Sequence, residues 1–318
     1  MRLAYLGSPE IAVAPLRALV ADGHEVVIVV TQPDRRRGRG TSLVATPVKQ
    51  LALELGLPVT DQIDDVLRME VEMGVVVAFG RIVRPHVLRA VPMVNLHFSL
   101  LPRWRGAAPV ERAILAGDEV TGVCVMEVAE GLDTGAIYAC RTITIGPDQT
   151  ADELRRALAA IGTVLLTDLL REPLPPPTPQ IGEPLYAAKL EPAAHYLDWR
   201  NSAIHLHRVV RVGQAWTTFR GRRLRVLEAR VGPDPEPLDP SIEPGQLDPD
   251  NLCVATTTGT LELVRVQPEA KSPVTATAWR NGARPTPGEY LGERHDGRPA
   301  GDHPPVVGEA PGSTHSKE

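Results

Sequence analysis

The feature that most constrains the fold is a pair of short segments too apolar to leave one face wet. Within His-Glu-Val-Val-Ile-Val-Val-Thr at 24–31 the run 26–30 is wholly apolar, as is Gly-Val-Val-Val-Ala-Phe at 74–79, where a half-exposed strand would alternate. Strands buried on both faces belong to a parallel sheet with helices packed on either side. The segments between supply those helices. Ala12 to Ala21 follows Ser8-Pro9-Glu10, in which serine caps and proline suits the first turn. Helices are also expected at 46–55, 108–116 and 151–170, and strands at 2–6, 93–98, 122–128 and 136–145. The alternation predicts an α/β unit over 1–171, built on a Rossmann-like, open, mostly parallel sheet.

Glu-Pro-Leu-Pro-Pro-Pro-Thr-Pro at 172–179 cannot continue a helix, so a Pro-rich linker is expected over 172–185. Short strands between Gly and Pro turns at 216–219, 223–230, 252–256 and 260–266 predict a small OB-like β-barrel over 186–292. Gly, Pro, Asp, His and Ser dominate 293–318 without periodicity, which predicts a disordered tail. A net charge of −5 gives no global attraction to nucleic acid or to an anionic membrane, so any polyanion site must be a local patch. No run approaches the roughly 18 apolar residues of a membrane span. Cys124, Cys140 and Cys253 lack metal-site spacing and are expected to be reduced, buried small hydrophobes. A cytoplasmic monomer that needs no metal and no membrane is the resulting expectation.

Chemistry concentrates in Val94-Asn95-Leu96-His97-Phe98-Ser99-Leu100-Leu101-Pro102-Arg103-Trp104-Arg105-Gly106. Asn95 and His97 are two apart on an expected strand and so share one face. They sit near its C-terminal end, where open α/β sheets hold ligands. An amide beside an imidazole suits acyl transfer. The amide donates to a carbonyl oxygen as charge develops, and the imidazole accepts the proton of an attacking amine. Asp133, in Glu130-Gly131-Leu132-Asp133-Thr134-Gly135, is the carboxylate able to orient that imidazole. Singly, a strand histidine is more often structural, and an Asp between glycines is more often a turn.

Asn-x-His-x-Ser-Leu-Leu-Pro-x-Trp-Arg-Gly followed by Gly-Leu-Asp-Thr-Gly resembles the signature of the folate-dependent formyltransferases, over Met1 to about Leu291. The resemblance implies that Asn95, His97 and Asp133 are catalytic and that 10-formyl-tetrahydrofolate is the donor. It further implies that Ser99, Leu100, Leu101 and Pro102 bind the folate, with its pterin near Gly80, Arg81, Ile82 and Val83. The first strand ends in Gly7-Ser8-Pro9 without a Gly-x-Gly-x-x-Gly fingerprint, which counts against a dinucleotide oxidoreductase.

Two basic regions bear on the acceptor. Thr31-Gln32-Pro33-Asp34-Arg35-Arg36-Arg37-Gly38-Arg39-Gly40 is an arginine-rich loop leaving the same sheet edge. From Arg200 to Arg230 there are eight arginines and one acid, with Arg220, Arg222 and Arg223 on an expected hairpin. Either could be a merely solvated face. The loop resembles the one by which the tRNA-acting members enter an acceptor arm, with Arg39 foremost beside Arg35, Arg36 and Arg37. The resemblance therefore implies methionyl initiator tRNA as acceptor. An amino sugar nucleotide is the alternative acceptor, and a non-catalytic RNA-binding module is the alternative of another class. The family's Pro-rich motif is missing at 211–216, which here is Arg211-Val212-Gly213-Gln214-Ala215-Trp216.

Overall fold

The computed structural model describes residues 1–36, 43–232 and 242–292. From the N-terminus, β1 (Arg2–Gly7), α1 (Val13–Ala21) and β2 (Glu25–Val30) lead to a ribbon of β3 (Arg35–Arg36) and β4 (Leu43–Val44). Next come α2 (Pro47–Glu54), β5 (Val59–Thr60), β6 (Met73–Val77), α3 (Pro85–Ala90) and β7 (Met93–His97). They are followed by β8 (Arg105–Gly106), α4 (Pro109–Ala116), β9 (Val120–Glu127), β10 (Ile137–Thr144) and α5 (Ala151–Leu170). Seven strands make one sheet in the order β10-β9-β7-β6-β1-β2-β5. Among the described residues only β9 runs against its neighbours in this sheet, so it is mostly parallel as expected.

Alternation across the pleat decides what faces what. Leu3 and Tyr5 of β1 enter one buried cluster, with α1, α4 and α5, while Ala4 and Leu6 enter another on the opposite face. On β7, Val94 and Leu96 join the first cluster, which turns Asn95 and His97 to the other face. Two of the helices over that first cluster, α2 and α5, have side-chain caps. Thr46 Oγ1 accepts Lys49 N–H at 3.1 Å ahead of Pro47, and Thr150 with Glu153 forms a reciprocal capping box on α5.

Two local expectations are corrected. Ser8 caps no helix, because a 3-10 turn at Glu10–Ala12 delays α1. Ser8 Oγ instead accepts from Gln32 N–H at 3.0 Å and Thr31 Oγ1 at 3.3 Å, tying the end of β1 to the end of β2. Cys124 and Cys140 are not reduced. They form a disulfide, because the antiparallel return from β9 to β10 puts residues 16 apart in the chain directly opposite one another. Cys253 is free and half-buried, and burial pushes its thiol pKa up.

The remaining elements are β11 (Tyr186–Ala187), α6 (Ala203–Val212), β12 (Trp216–Phe219), β13 (Arg222–Val231), β14 (Cys253–Ala255), β15 (Thr260–Pro268), β16 (Val274–Thr275) and α7 (Ala276–Ala283). An antiparallel sheet runs β12-β13-β15-β14, with β16 on β15. Its two edges are linked through bridges Leu247↔Val254, Gln246↔Tyr290 and Phe219↔Leu291. The core of this part holds Trp199, Leu206, Phe219, Val226, Leu263 and Trp279.

Neither α6 nor α7 is among the expected elements. The cue for α6 was present, because Ala203, Leu206, Val209 and Val210 keep helical spacing after the capping Ser202. The helix redistributes the basic stretch. Arg211 donates to the Gln149 and Gly146 carbonyls, both at 2.9 Å, and pins α6 to the first part. Arg200 pairs with Asp198. The segment 211–216, where the resemblance departs, runs from the end of α6 into the start of β12, with Gly213 and Gln214 between them both at positive φ. No helix of the described residues is long and apolar enough to cross a membrane. Residues 293–318, expected as a tail, lie outside the described residues.

Candidate active site

β7 delivers two side chains and the loop between β9 and β10 delivers the third. His97 is only 5% exposed. Its Nε2 lies 3.0 Å from the Trp104 carbonyl oxygen, which can only accept, so Nε2 carries the proton. The other ring nitrogen, Nδ1, faces Asp133, 3.5 Å from Oδ2. Asn95 Nδ2 donates to Asp133 Oδ1 at 3.4 Å, and the Gly106 N–H donates to Oδ2 at 2.8 Å. The carboxylate therefore touches both β7 side chains at once, which is the grouping expected from the sequence.

The Gly-Leu-Asp-Thr-Gly pattern has a local physical cause. Asp133 sits at φ 50, a left-handed conformation that Asp tolerates better than most residues. At Gly135, any Cβ would run into the Glu127 carbonyl, so the loop closes only on glycine there. Asp133 is therefore a turn residue whose carboxylate also reaches His97 and Asn95. The strained turn is what aims the carboxylate.

The other candidate residues are distributed unevenly. Ser99 is fully buried and its hydroxyl donates to the Arg103 carbonyl at 2.6 Å. Leu101 is buried against Cys124 and Met126, and Leu101–Pro102 is a cis peptide bond. In 99–102, then, Ser99 and Leu101 shape the turn beside His97, and Leu100 and Pro102 are partly exposed. Gly80 and Arg81 line a cavity of about 530 Å³ together with Gln32, Pro33, Arg35, Asp61 and Gln62. The expected pterin segment and the base of the arginine loop thus share one pocket. Arg81 donates to the Asp61 carbonyl at 2.6 Å, Val83 is buried, and Ile82 is 83% exposed. Arg35 and Arg36 are exposed on the ribbon, whose base is held by Lys49 Nζ on Asp34 at 2.8 Å. Arg37 and Arg39 lie outside the described residues.

On the β12–β13 hairpin, Arg223 stacks over Trp216 with its guanidinium carbon 4.5 Å from the ring centroid. Arg220 stacks on Phe219 and is held by Glu289 at 2.6 Å. That pair lowers the Glu289 pKa to about 2. Arg222 is exposed, 3.6 Å from Glu269. A separate cleft of about 1240 Å³ lies between the two parts, bounded by residues such as Glu119, Asp148, His207 and Arg208. Burial pushes the His207 pKa down. Among the described residues, no group of three or more His, Cys, Asp or Glu is arranged to hold a metal ion.

Sequence reasoning missed Gln180, beyond the proline run. Its Nε2 donates to the Asp133 carbonyl at 2.8 Å and the Gly135 carbonyl at 2.9 Å. A single polar residue in a linker carries no motif, so only the tertiary contact reveals it.

Two family models cover the chain, one described as formyl transferase over residues 1–170 and one as formyl transferase, C-terminal domain, over residues 189–284. A methionyl-tRNA formyltransferase of Symbiobacterium thermophilum is 38% identical over 98% of this chain and 100% of its own length. Another from Streptomyces coelicolor is 41% identical over 92% of this chain and 100% of its own. Among solved structures, an N-formyltransferase from Helicobacter canadensis in complex with folinic acid and dTDP-3-aminofucose superposes with a TM-score of 0.64. It is 16% identical, and the match covers 84% of this chain and 99% of that one. At that identity the likeness concerns the fold.

Proposed function

The chain belongs to the formyl transferase family, and from that premise we propose that it formylates the α-amine of methionyl initiator tRNA, with 10-formyl-tetrahydrofolate as donor. The observation that carries the chemistry is Asp133 held between His97 at 3.5 Å and Asn95 at 3.4 Å at the end of β7. When bound, the folate supplies a formyl group on nitrogen, whose carbon the amine attacks and whose bond to the folate nitrogen then breaks.

The chain's own groups act on that exchange. Asn95 Nδ2 donates to the formyl oxygen as charge gathers there; removing such a donor costs about 10²–10³ in rate. His97 Nδ1 takes the proton that the attacking nitrogen loses and returns it to the departing folate nitrogen. Asp133 stands beside the imidazolium while it exists and orients the ring. The residues suit a flat heterocycle, because the candidate segments leave Ile82 at 83% and Leu132 at 61% exposure, open apolar faces beside main-chain groups. Gly80 to Val83 and Ser99 to Pro102 are proposed to hold the donor, and Arg35, Arg36, Arg37, Arg39, Arg220, Arg222 and Arg223 the acceptor RNA.

In this proposal 1–171 forms the catalytic domain, 172–185 the linker and 186–292 an OB-like RNA-binding domain, in a cytoplasmic monomer. The test supplies labelled 10-formyl-tetrahydrofolate with methionyl initiator tRNA and, separately, with amino sugar nucleotides. Label on the methionine is expected. Label on a sugar alone would replace this acceptor by the other.

A further inference from the structure

The segment after the proline run returns to the catalytic part instead of leaving it. Thr178 exchanges two 2.8 Å backbone hydrogen bonds with Ile137 at the start of β10. β11 then pairs in parallel with β8, Tyr186 opposite Arg105 and Ala187 opposite Gly106. Gly106 is at φ 121, and a Cβ there would approach the Ala187 carbonyl oxygen at 2.9 Å, so this pairing depends on glycine. Between these two anchor points sits half-buried Gln180.

Its amide is fully engaged, and every bond bears on the Asp133 loop. Nε2 donates to the carbonyls of Asp133 and Gly135. Oε1 accepts from Arg105 Nε at 3.0 Å and Nη2 at 2.7 Å. The residue after Arg105 is Gly106, whose N–H holds the Asp133 carboxylate at 2.8 Å. Asp133 is thus gripped twice from β8: directly at its side chain by Gly106, and at its backbone through the Arg105–Gln180 pair. Asp133 needs such a grip, because a non-glycine residue at φ 50 persists only where its surroundings hold it.

We propose that Gln180 is a positioning residue for formyl transfer, which with Arg105 clamps the Asp133 loop in its left-handed conformation and so keeps the carboxylate on His97 and Asn95. The C-terminal part is thereby tied to the reacting groups through the linker. The activity side of this inference rests on the formyl-transfer function proposed above; the clamp itself does not.

The test has two arms on the full chain. In Gln180→Ala, amide exchange at Gly106 is expected to quicken about tenfold while the melting temperature holds, because only a local opening becomes easier. In parallel, kcat should fall about 10–100-fold with both KM values within about twofold, the mark of misaligned chemistry rather than weakened binding. Gln180→Glu keeps the acceptor for Arg105 but sets an anion against two carbonyls, and should be no better than Gln180→Ala. Arg105→Ala should reproduce the kcat loss, and the double variant should lose no more than the worse single, since both act through one link. Unchanged exchange at Gly106 in Gln180→Ala would overturn the clamp, and unchanged kcat would overturn the positioning role. If the unchanged chain formylated no methionyl-tRNA, the functional proposal would fall, and the exchange arm would still decide the clamp.

Discussion

The end of β7 and the β12–β13 hairpin both carry functional candidates, and they are built in opposite ways. At β7, three chain segments converge on one carboxylate: the strand itself, β8 and the loop after β9, with polar atoms 2.8–3.5 Å apart. On the hairpin, each arginine has its own nearby partner: Arg220 has Glu289, Arg222 has Glu269, and Arg223 has the Trp216 ring. A chemical site needs groups held against one another. A surface that meets a polyanion needs only accumulated charge, and its residues act more independently. Substitutions in the first region should therefore cost much and couple strongly, and in the second should cost little and add.

The largest effect belongs to β7. Asn95→Ala and His97→Ala should each lower kcat about 10²–10⁴-fold without changing the melting temperature, and the double variant should lose far less than the product. Steady-state kinetics beside calorimetry checks this, and simple additivity would break the contrast. Gly135→Ala comes next. Its Cβ meets the Glu127 carbonyl, so a loss of about 1–3 kcal/mol in urea unfolding is expected together with reduced turnover.

Hairpin effects should be smaller. Arg223→Ala should raise KM for the tRNA a few-fold, leave kcat alone and flatten the salt dependence of binding by about one unit of slope. Arg220→Ala should do less, because Glu289 already neutralises Arg220. The smallest effect is on stability in acid. The folded pKa of Glu289, about 2, lies below the ordinary glutamate value near 4.3. Its contribution is therefore complete above the ordinary range and fades as pH falls through about 2. Urea midpoints followed from pH 6 to pH 2 should drop less steeply in Glu289→Gln than in the unchanged chain.

The same contrast governs what was legible before the fold was known. The parallel sheet showed in the continuous apolar runs, because strands buried on both faces have no room for polar residues. The two-residue spacing put Asn95 and His97 on one face, the glycines marked Asp133 as a turn, and only the resemblance joined the three. What stayed hidden depends on contacts between residues distant in the chain. Cys124 and Cys140 meet only because β9 turns back, and Gln180 matters only because the linker folds over the Asp133 loop. Helix α6 was hidden differently: its apolar spacing was plain, but its arginines read as surface charge, and Arg211 in fact anchors it to the Gly146 and Gln149 carbonyls.

The central claim is that Asp133 works with His97 and Asn95 in transferring a formyl group. Its most direct measurement is single-turnover transfer of labelled formyl from 10-formyl-tetrahydrofolate to methionyl initiator tRNA by Asp133→Asn, which keeps the shape and removes the charge. A rate about 10²–10⁴-fold below the unchanged chain, with donor and tRNA still bound, is predicted. A rate within about threefold of the unchanged chain, well inside what one general-base contribution spans, would contradict the account.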